Sequence, residues 1–200
     1  MQPVISDSTS CLFRLLLLAE LLIHSSCQST LSCSMFGSMI HQVDKLLNSS
    51  KRLHNLTKEE LVKFAAVEHR LSSLPHIQHT VGDFNSLKVN ESLSQLYSHT
   101  LSFRVHVDWL KTAKENVSLP IQSAETTSTQ LQQLFRLANT SLHQIREEVP
   151  QTTSPSLPEV SLAFDALKFS VEISDRLQAF CHWSKRALRR LQRQSRCPGR

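Results

Sequence analysis

Residues that break helices are scarce in this 200-residue chain, and this scarcity limits the available folds more than any other feature. The chain has three glycines and seven prolines, and three of the prolines cluster between positions 150 and 158. Long stretches therefore carry no helix breaker. Phosphate-binding loops and dinucleotide-binding turns each need at least two closely spaced glycines, so those enzyme classes are excluded. We expect an all-α protein.

Apolar residues recur at helical spacing in four segments. These segments predict helix A over about 34–65, helix B over about 90–114, helix C over about 120–147 and helix D over about 160–195. Each predicted helix is polar on its other side, so each must bury its apolar stripe against a neighbour. A four-helix bundle is the minimal arrangement that does so.

The end of helix A has two interpretations. Thr57-Lys-Glu-Glu60 has the form of a capping box ahead of Leu61 and Phe64. Either a second short helix begins there, or helix A continues through it to about residue 65. We expect one long helix with a kink.

The connections between the helices predict the topology. The A-to-B connection is long, the B-to-C connection is short and the C-to-D connection is intermediate, which suits an up-up-down-down bundle. A nine-residue C-to-D linker reaches roughly 31 Å, whereas a 25-residue helix is about 37 Å long. Helix C must therefore end early or helix D must start late, and we expect the first ordered turn of helix D near Ser161.

The first 29 residues predict a signal peptide that is removed. Residues 11–23 read CLFRLLLLAELLI, which has the length of a signal-peptide core and is too short to span a bilayer. Small residues follow it, so we expect cleavage near residues 28–30. The mature protein is then one domain over 30–200, secreted and extracellular.

Sequons for N-glycosylation indicate the same compartment. Five of the six asparagines stand in Asn-x-Ser/Thr: Asn48, Asn55, Asn90, Asn116 and Asn139. A serine-rich chain makes some sequons by chance, but this concentration favours a glycosylated, solvent-facing surface.

Three cysteines remain after signal removal: Cys33, Cys181 and Cys197. In an oxidising compartment we expect two of them to pair. The predicted topology brings the start of helix A and the end of helix D to the same end of the bundle, while Cys181 lies on the apolar stripe of helix D. We therefore expect a disulfide between Cys33 and Cys197.

Catalytic and metal-binding patterns have little support. His76-x-x-His79 with His69 nearby is the only histidine cluster of note, and solvated loop histidines account for it. The sequence lacks an HExxH motif, a cysteine pair at metal spacing and a GxSxG motif. We expect neither an enzyme nor a cofactor or metal.

The end of helix D is strongly basic. Residues 185–200 read KRALRRLQRQSRCPGR and contain no acidic residue. Trp183, Arg186 and Arg190 share one flank, which we expect to be partly exposed beside the apolar stripe. This pattern fits three uses: a binding site for an acidic protein, a glycosaminoglycan or nucleic-acid patch, and a solvated helix end. Secretion argues against nucleic acid.

Three segments resemble a known family. They are His106-Val107-x-Trp109-Leu110 with Ala113, the loop His69-x-Leu71-x-Ser73-Leu74-Pro75, and Trp183-x-x-Arg186-x-Leu188-x-x-Leu191. They are similar to helix B, the A-to-B loop and the last helix of the interleukin-11 cytokines, within the interleukin-6 family of long-chain helical cytokines. The sequons and cysteines mark the chain as a divergent, non-mammalian member.

The resemblance implies a secreted cytokine or growth factor with an up-up-down-down bundle. Such a cytokine binds a specific α receptor and then recruits a shared signal-transducing receptor chain. The resemblance places the α-receptor site on Trp183, Arg186 and Arg190 with Leu74 and Pro75. The family's second site uses exposed faces of helices A and C, and nothing in this sequence identifies its residues. Its third site has a tryptophan at the start of helix D, where this chain offers Leu157 or Phe164 instead.

Two other functions compete with the cytokine interpretation. A lipid-binding helical bundle would open the same amphipathic stripes onto a lipid surface, without inserting through a membrane. A heparin-binding carrier would use the basic end of helix D to bind heparan sulfate, and Arg189 and Arg193 would then matter as much as Arg186.

Overall fold

The computed structural model describes residues 34–64, 71–78, 84, 86–151 and 155–195. Its regular structure there is helical, which confirms the all-α prediction. The helices are α1 over 34–50, α2 over Lys58–Phe64, α3 over Val89–Asn116, α4 over Gln122–Gln144 and α5 over Ala163–Gln194. The predicted signal peptide, Cys33 and Cys197 lie outside the described residues.

Side-chain contacts establish that α3 is antiparallel to both α4 and α5. The guanidinium of Arg104 binds Gln132, whereas Lys111 lies farther along α3 and pairs with the earlier Glu125. Toward α5, the Phe103 ring lies 5.2 Å from the Phe180 ring. Trp109, one and a half turns later, lies 5.3 Å from the earlier Phe169.

The direction of α1 completes the topology. Asp44 pairs with Lys185 in the last third of α5, and the carbonyl of Ser50, six residues later, accepts a 2.9 Å hydrogen bond from the earlier Ser174. α1 is therefore antiparallel to α5 and parallel to α3. The bundle runs up-up-down-down, as predicted.

The core forms where the four apolar stripes meet. α1 contributes Phe36, Met39, Val43 and Leu46, all fully buried. The remaining core comes mainly from α3, α4 and α5, including Leu93, Leu96, Phe103, Leu110, Leu131, Leu134, Ile173, Leu177 and Phe180. Burying these stripes removes apolar surface from water, which is the main force that holds the helices together.

The expectation of one long helix A over 34–65 is wrong. Hydrogen-bonded turns replace the helix after residue 50, and Asn55 has a left-handed φ of 54°. Thr57 caps α2: its Oγ1 accepts from the Glu60 amide at 3.3 Å, and the Glu60 carboxylate accepts from the Thr57 amide at 2.7 Å. The buried Lys114 amine donates to the Leu53 carbonyl at 2.7 Å. The Lys114 amine and the Ser174 hydroxyl bind the carbonyls of Leu53 and Ser50, which no helical amide satisfies, and the chain can therefore turn here.

The C-to-D connection is longer than expected because both flanking helices are shorter. α4 ends at Gln144 and α5 begins at Ala163, against predicted limits of 147 and 160. The indole Nε1 of Trp109 donates to the Pro158 carbonyl at 3.2 Å and holds this connection against α3. The extra residues supply the reach that a crossover along the bundle requires.

None of the described helices combines the length with the apolar character that crossing a bilayer requires.

Candidate functional site

The last turns of α5 present a row of exposed basic side chains. The exposed members are Arg186, Arg189, Arg190 and Arg193. Lys185 differs from them because its amine is paired with Asp44 of α1. A surface with this charge attracts acidic partners and speeds their association.

Within the described residues, Arg186 is the member of this exposed row that contacts the A-to-B connection. Its Cζ lies 4.9 Å from the centroid of the Phe84 ring, within the range of a cation–π contact. Phe84 is half-buried and packs against the hydrophobic core. The contact restrains the guanidinium while leaving Arg186 exposed, so the basic group is held in place at the surface.

Trp183 does not lie on the exposed flank, and that expectation is wrong. Only 4% of the residue is exposed, and its ring lies 6.1 Å from Phe180 and 6.0 Å from His99. α5 contacts α1, α2, α3 and the A-to-B connection, so its apolar face is wider than a single stripe. Trp183 positions the helix under Arg186 by packing and is not available for direct contact.

The loop residues Leu74 and Pro75 are also less accessible than a contact site needs. Leu74 is 2% exposed and belongs to the core, which corrects its predicted place on the surface. Pro75 is half-buried. Leu74 therefore anchors the loop, and Pro75 offers only part of its ring to a partner.

A charged pair on α5 fixes this loop. Arg176 donates from Nη1 to the carbonyls of Leu71 at 3.1 Å and Leu74 at 2.9 Å. Glu172 accepts from the Leu71 amide at 3.1 Å and pairs with Arg176 at 3.1 Å. Sequence reasoning missed this pair, although Glu172 and Arg176 stand one turn apart on a predicted helix.

His106 fixes the loop from the α3 side. Its Nδ1 donates to the Ser102 carbonyl at 2.7 Å, so Nε2 accepts the Ser73 hydroxyl at 2.9 Å. Burial lowers the pKa of His106 and keeps the ring neutral, as this arrangement requires. The resemblance had already singled out His106, but the sequence did not reveal what it binds.

A separate apolar patch lies at the start of α5. Phe164 is 58% exposed, and its ring stacks on Phe64 of α2 at 5.3 Å. Val62 and Leu162 are 73% and 61% exposed and stand two residues from these rings along the chain. Leu157, the other predicted third-site residue, is half-buried. Sequence reasoning found Phe164 and missed Val62 and Leu162, which exposure alone reveals.

The sequon asparagines are all at least partly accessible. Asn48, Asn55 and Asn116 are exposed, whereas Asn90 and Asn139 are half-buried. They lie on α1, α3, α4 and the adjoining turns, and α5 carries none.

The described residues offer little for chemistry. Within them, no group of three histidine, cysteine or acidic side chains lies close enough together to hold a metal ion. Cys181 is a buried free thiol, and burial raises its pKa well above the usual range, so it is protonated and unreactive.

Comparison with known sequences identifies the family. No curated protein matches the chain, but the sequence model of the family described as Interleukin 11 matches residues 25–195. This match covers most of the chain, including every described helix. The all-α bundle and its up-up-down-down order agree with a helical cytokine. The chain belongs to the interleukin-11 family of cytokines.

Proposed function

We propose that this cytokine is secreted and signals by binding a specific α receptor and then recruiting a shared signal-transducing receptor chain. The basic end of α5 binds the α receptor, with Arg186 at its centre and Arg190 beside it. The observation that carries this proposal is the contact between Arg186 and Phe84 at 4.9 Å, which restrains an exposed guanidinium. Arginine presented in this way forms bidentate pairs with carboxylates and is common among energetic centres of interfaces.

The receptor-contact set proposed here differs from the one expected from the sequence. Arg186 and Arg190 contact the receptor, and Pro75 contributes at the edge. Trp183 and Leu74 act from the core by fixing α5 and the loop. We expect substitutions at the first group to change affinity without changing stability, and substitutions at the second group to change both.

A binding experiment with charge reversal tests the α-receptor site. The full chain is produced by eukaryotic secretory cells, and its affinity for the interleukin-11 α-receptor ectodomain of the same species is measured by surface binding. We expect Arg186→Glu to weaken binding by more than about tenfold, since a lost charged contact is worth 1.4 kcal/mol or more. Lys51→Glu is the matched control, because Lys51 is exposed at the opposite end of the bundle.

The outcomes of this experiment are distinct. Equal losses of affinity for Arg186→Glu and Lys51→Glu would mean that only the net charge of the chain matters, which would contradict the proposed site. Unchanged affinity of Arg186→Glu would mean that the α receptor binds elsewhere on the cytokine. No binding by the unaltered chain would contradict the α-receptor proposal as a whole.

The apolar patch of Phe64 and Phe164 is the proposed third site. The exposed ring of Phe164, stacked on the half-buried Phe64, forms with the exposed Val62 and Leu162 an apolar surface of the kind that protein partners cover. Phe164 takes the place of the family's tryptophan, and Leu157 lies seven residues before it in the chain. Phe164→Glu should preserve α-receptor affinity and reduce signalling in responsive cells, whereas an effect on α-receptor affinity would contradict a separate third site.

Heparan sulfate is a second candidate partner. Arg189, Arg190 and Arg193 are exposed on the same helix end as Arg186 and suit a sulfated polymer. Elution from heparin tests this, and Arg189→Ala with Arg193→Ala should elute at lower salt than the unaltered chain. If Arg186→Ala lowered the salt concentration of elution and the double variant did not, binding of heparan sulfate along the whole row of arginines would be contradicted.

A further inference from the structure

A groove separates α1 and α4 near the end of the bundle that holds the 51–57 turn. We call it the basal groove, and its volume is about 450 Å³, within the range of small-ligand sites. Its walls include Lys45, Arg52, Gln122 and Thr126, and each of its lining residues in the described part of the chain is polar or basic. These side chains offer hydrogen-bonding groups at their ends and aliphatic stems between them, which suits an occupant that has both hydroxyl groups and C–H faces, as a sugar does.

Two sequons open directly into the basal groove. Asn48 lies in the last turn of α1 and Asn55 in the turn that follows, and both are exposed residues of the lining. A sugar attached to either side-chain amide therefore starts inside the groove. The other exposed sequon asparagine, Asn116, does not line it.

A pair of glutamines bounds the basal groove. Gln42 Nε2 donates to Gln130 Oε1 at 2.7 Å and to the Gln130 carbonyl at 3.0 Å. Beyond this bridge, a second groove of about 510 Å³ lies between the same helices. We call it the apical groove; its lining includes Met35 and Leu137, and the residues described there include no sequon asparagine.

We propose that the basal groove seats the chain's own N-linked sugars, attached to Asn48 and Asn55. Their first sugar units hydrogen-bond to Lys45, Arg52 and Gln122. The proposal rests on the secretory route of the proposed function.

The attachment is the ordinary transfer from a lipid-linked oligosaccharide. The anomeric carbon of the first sugar bonds to the asparagine Nδ2, its bond to the donor's pyrophosphate oxygen breaks, and the amide gives up one proton. In the folded chain the Ser50 hydroxyl of the first sequon is buried and donates to the Leu47 carbonyl at 2.9 Å. Transfer at Asn48 therefore precedes folding of α1, and the sugars are present when the groove forms.

Occupancy and shielding are measured on the full chain secreted by eukaryotic cells. Enzymatic removal of the sugars converts each glycosylated asparagine to aspartate, which peptide mass spectrometry locates. The acylation rate of Lys45 by an amine-reactive ester then reports access to the groove. Lys88 is the internal reference, because it is exposed before α3 and does not line the basal groove.

We expect sugar at Asn48 and Asn55, and acylation of Lys45 several-fold faster in the double variant Asn48→Gln with Asn55→Gln. Asn116→Gln should leave the Lys45 rate unchanged. Absence of sugar from both groove positions, or equal Lys45 rates with and without it, would overturn the proposal. A secreted chain that binds the α receptor but fails either criterion would overturn only this inference and leave the proposed function standing.

Discussion

The guanidinium of Arg186 lies over the ring of Phe84, with Cζ 4.9 Å from the ring centroid. This contact joins the last third of α5 to the end of the A-to-B connection. Glu172 and Arg176 hold the same connection about three to four turns earlier along α5, through the backbone of Leu71 and Leu74. The connection therefore follows α5, and the proposed α-receptor surface is composed of both segments.

Replacing Phe84 should weaken α-receptor binding without removing any charge. A cation–π contact at an exposed site is worth about 0.5–1 kcal/mol, so Phe84→Ala should lower affinity by about two- to fivefold. Phe84→Tyr keeps the aromatic face and should bind as the unaltered chain does. Surface binding to the receptor ectodomain measures both, and equal affinity of Phe84→Ala would show that Arg186 needs no support from the ring.

Trp183 should affect stability more than recognition. Its buried ring packs on Phe180 and His99, so Trp183→Ala should lower the free energy of unfolding by about 3–5 kcal/mol. Denaturant unfolding measures this loss. Trp183→Phe preserves much of the packing and should bind the α receptor nearly normally. A large loss of affinity in that folded variant would mean that Trp183 contacts the receptor directly.

Lys114 should make stability depend on alkaline pH. Burial lowers its pKa from 10.5 to about 8 in the folded chain. Between these values the unfolded chain binds more protons, so the free energy of unfolding rises with pH. Below about pH 8 the buried charge of Lys114 lowers the free energy of unfolding by its full amount. Deprotonation of the amine raises that free energy by about 3 kcal/mol by pH 10.5.

Lys114→Met provides the comparison for this pH dependence. Other lysines titrate over the same range, so the difference between the two unfolding profiles isolates Lys114. The variant should lack the rise between pH 8 and 10.5, and Ser123, whose hydroxyl lies 3.4 Å from the Leu53 carbonyl, remains as a donor. Parallel profiles would mean that Lys114 keeps an ordinary pKa.

The ends of α1 and α5 favour the proposed pairing of Cys33 with Cys197. Asp44 pairs with Lys185 between antiparallel helices, and the two cysteines lie 11 residues before Asp44 and 12 residues after Lys185. Peptide mapping without reductant should yield a linked pair containing both. Replacing both by serine should cost about 4–5 kcal/mol of stability in the loop-entropy account. A bridge that includes Cys181 would contradict both the pairing and the burial of that thiol.

Helix periodicity predicted much of the fold because it is a local property. Helix B was expected over about 90–114 and α3 spans Val89–Asn116. The capping box at Thr57 was also visible, but the sequence could not show that Ser174 would bind the last carbonyl of α1 and Lys114 a carbonyl of the turn after it. Those donors lie more than 60 residues away along the chain, so only folding brings them to the turn.

The candidate site divides in the same way. The sequence alone determined the basic character of the last turns of α5, the sequons and the unequal connections that favour an up-up-down-down bundle. Tertiary structure decided which of those residues reach solvent: Trp183 and Leu74 are buried, Arg186 is held by Phe84, and Phe164 is exposed beside Phe64. The reason is that periodicity gives the direction of an apolar face, whereas its width depends on how many neighbours pack against the helix.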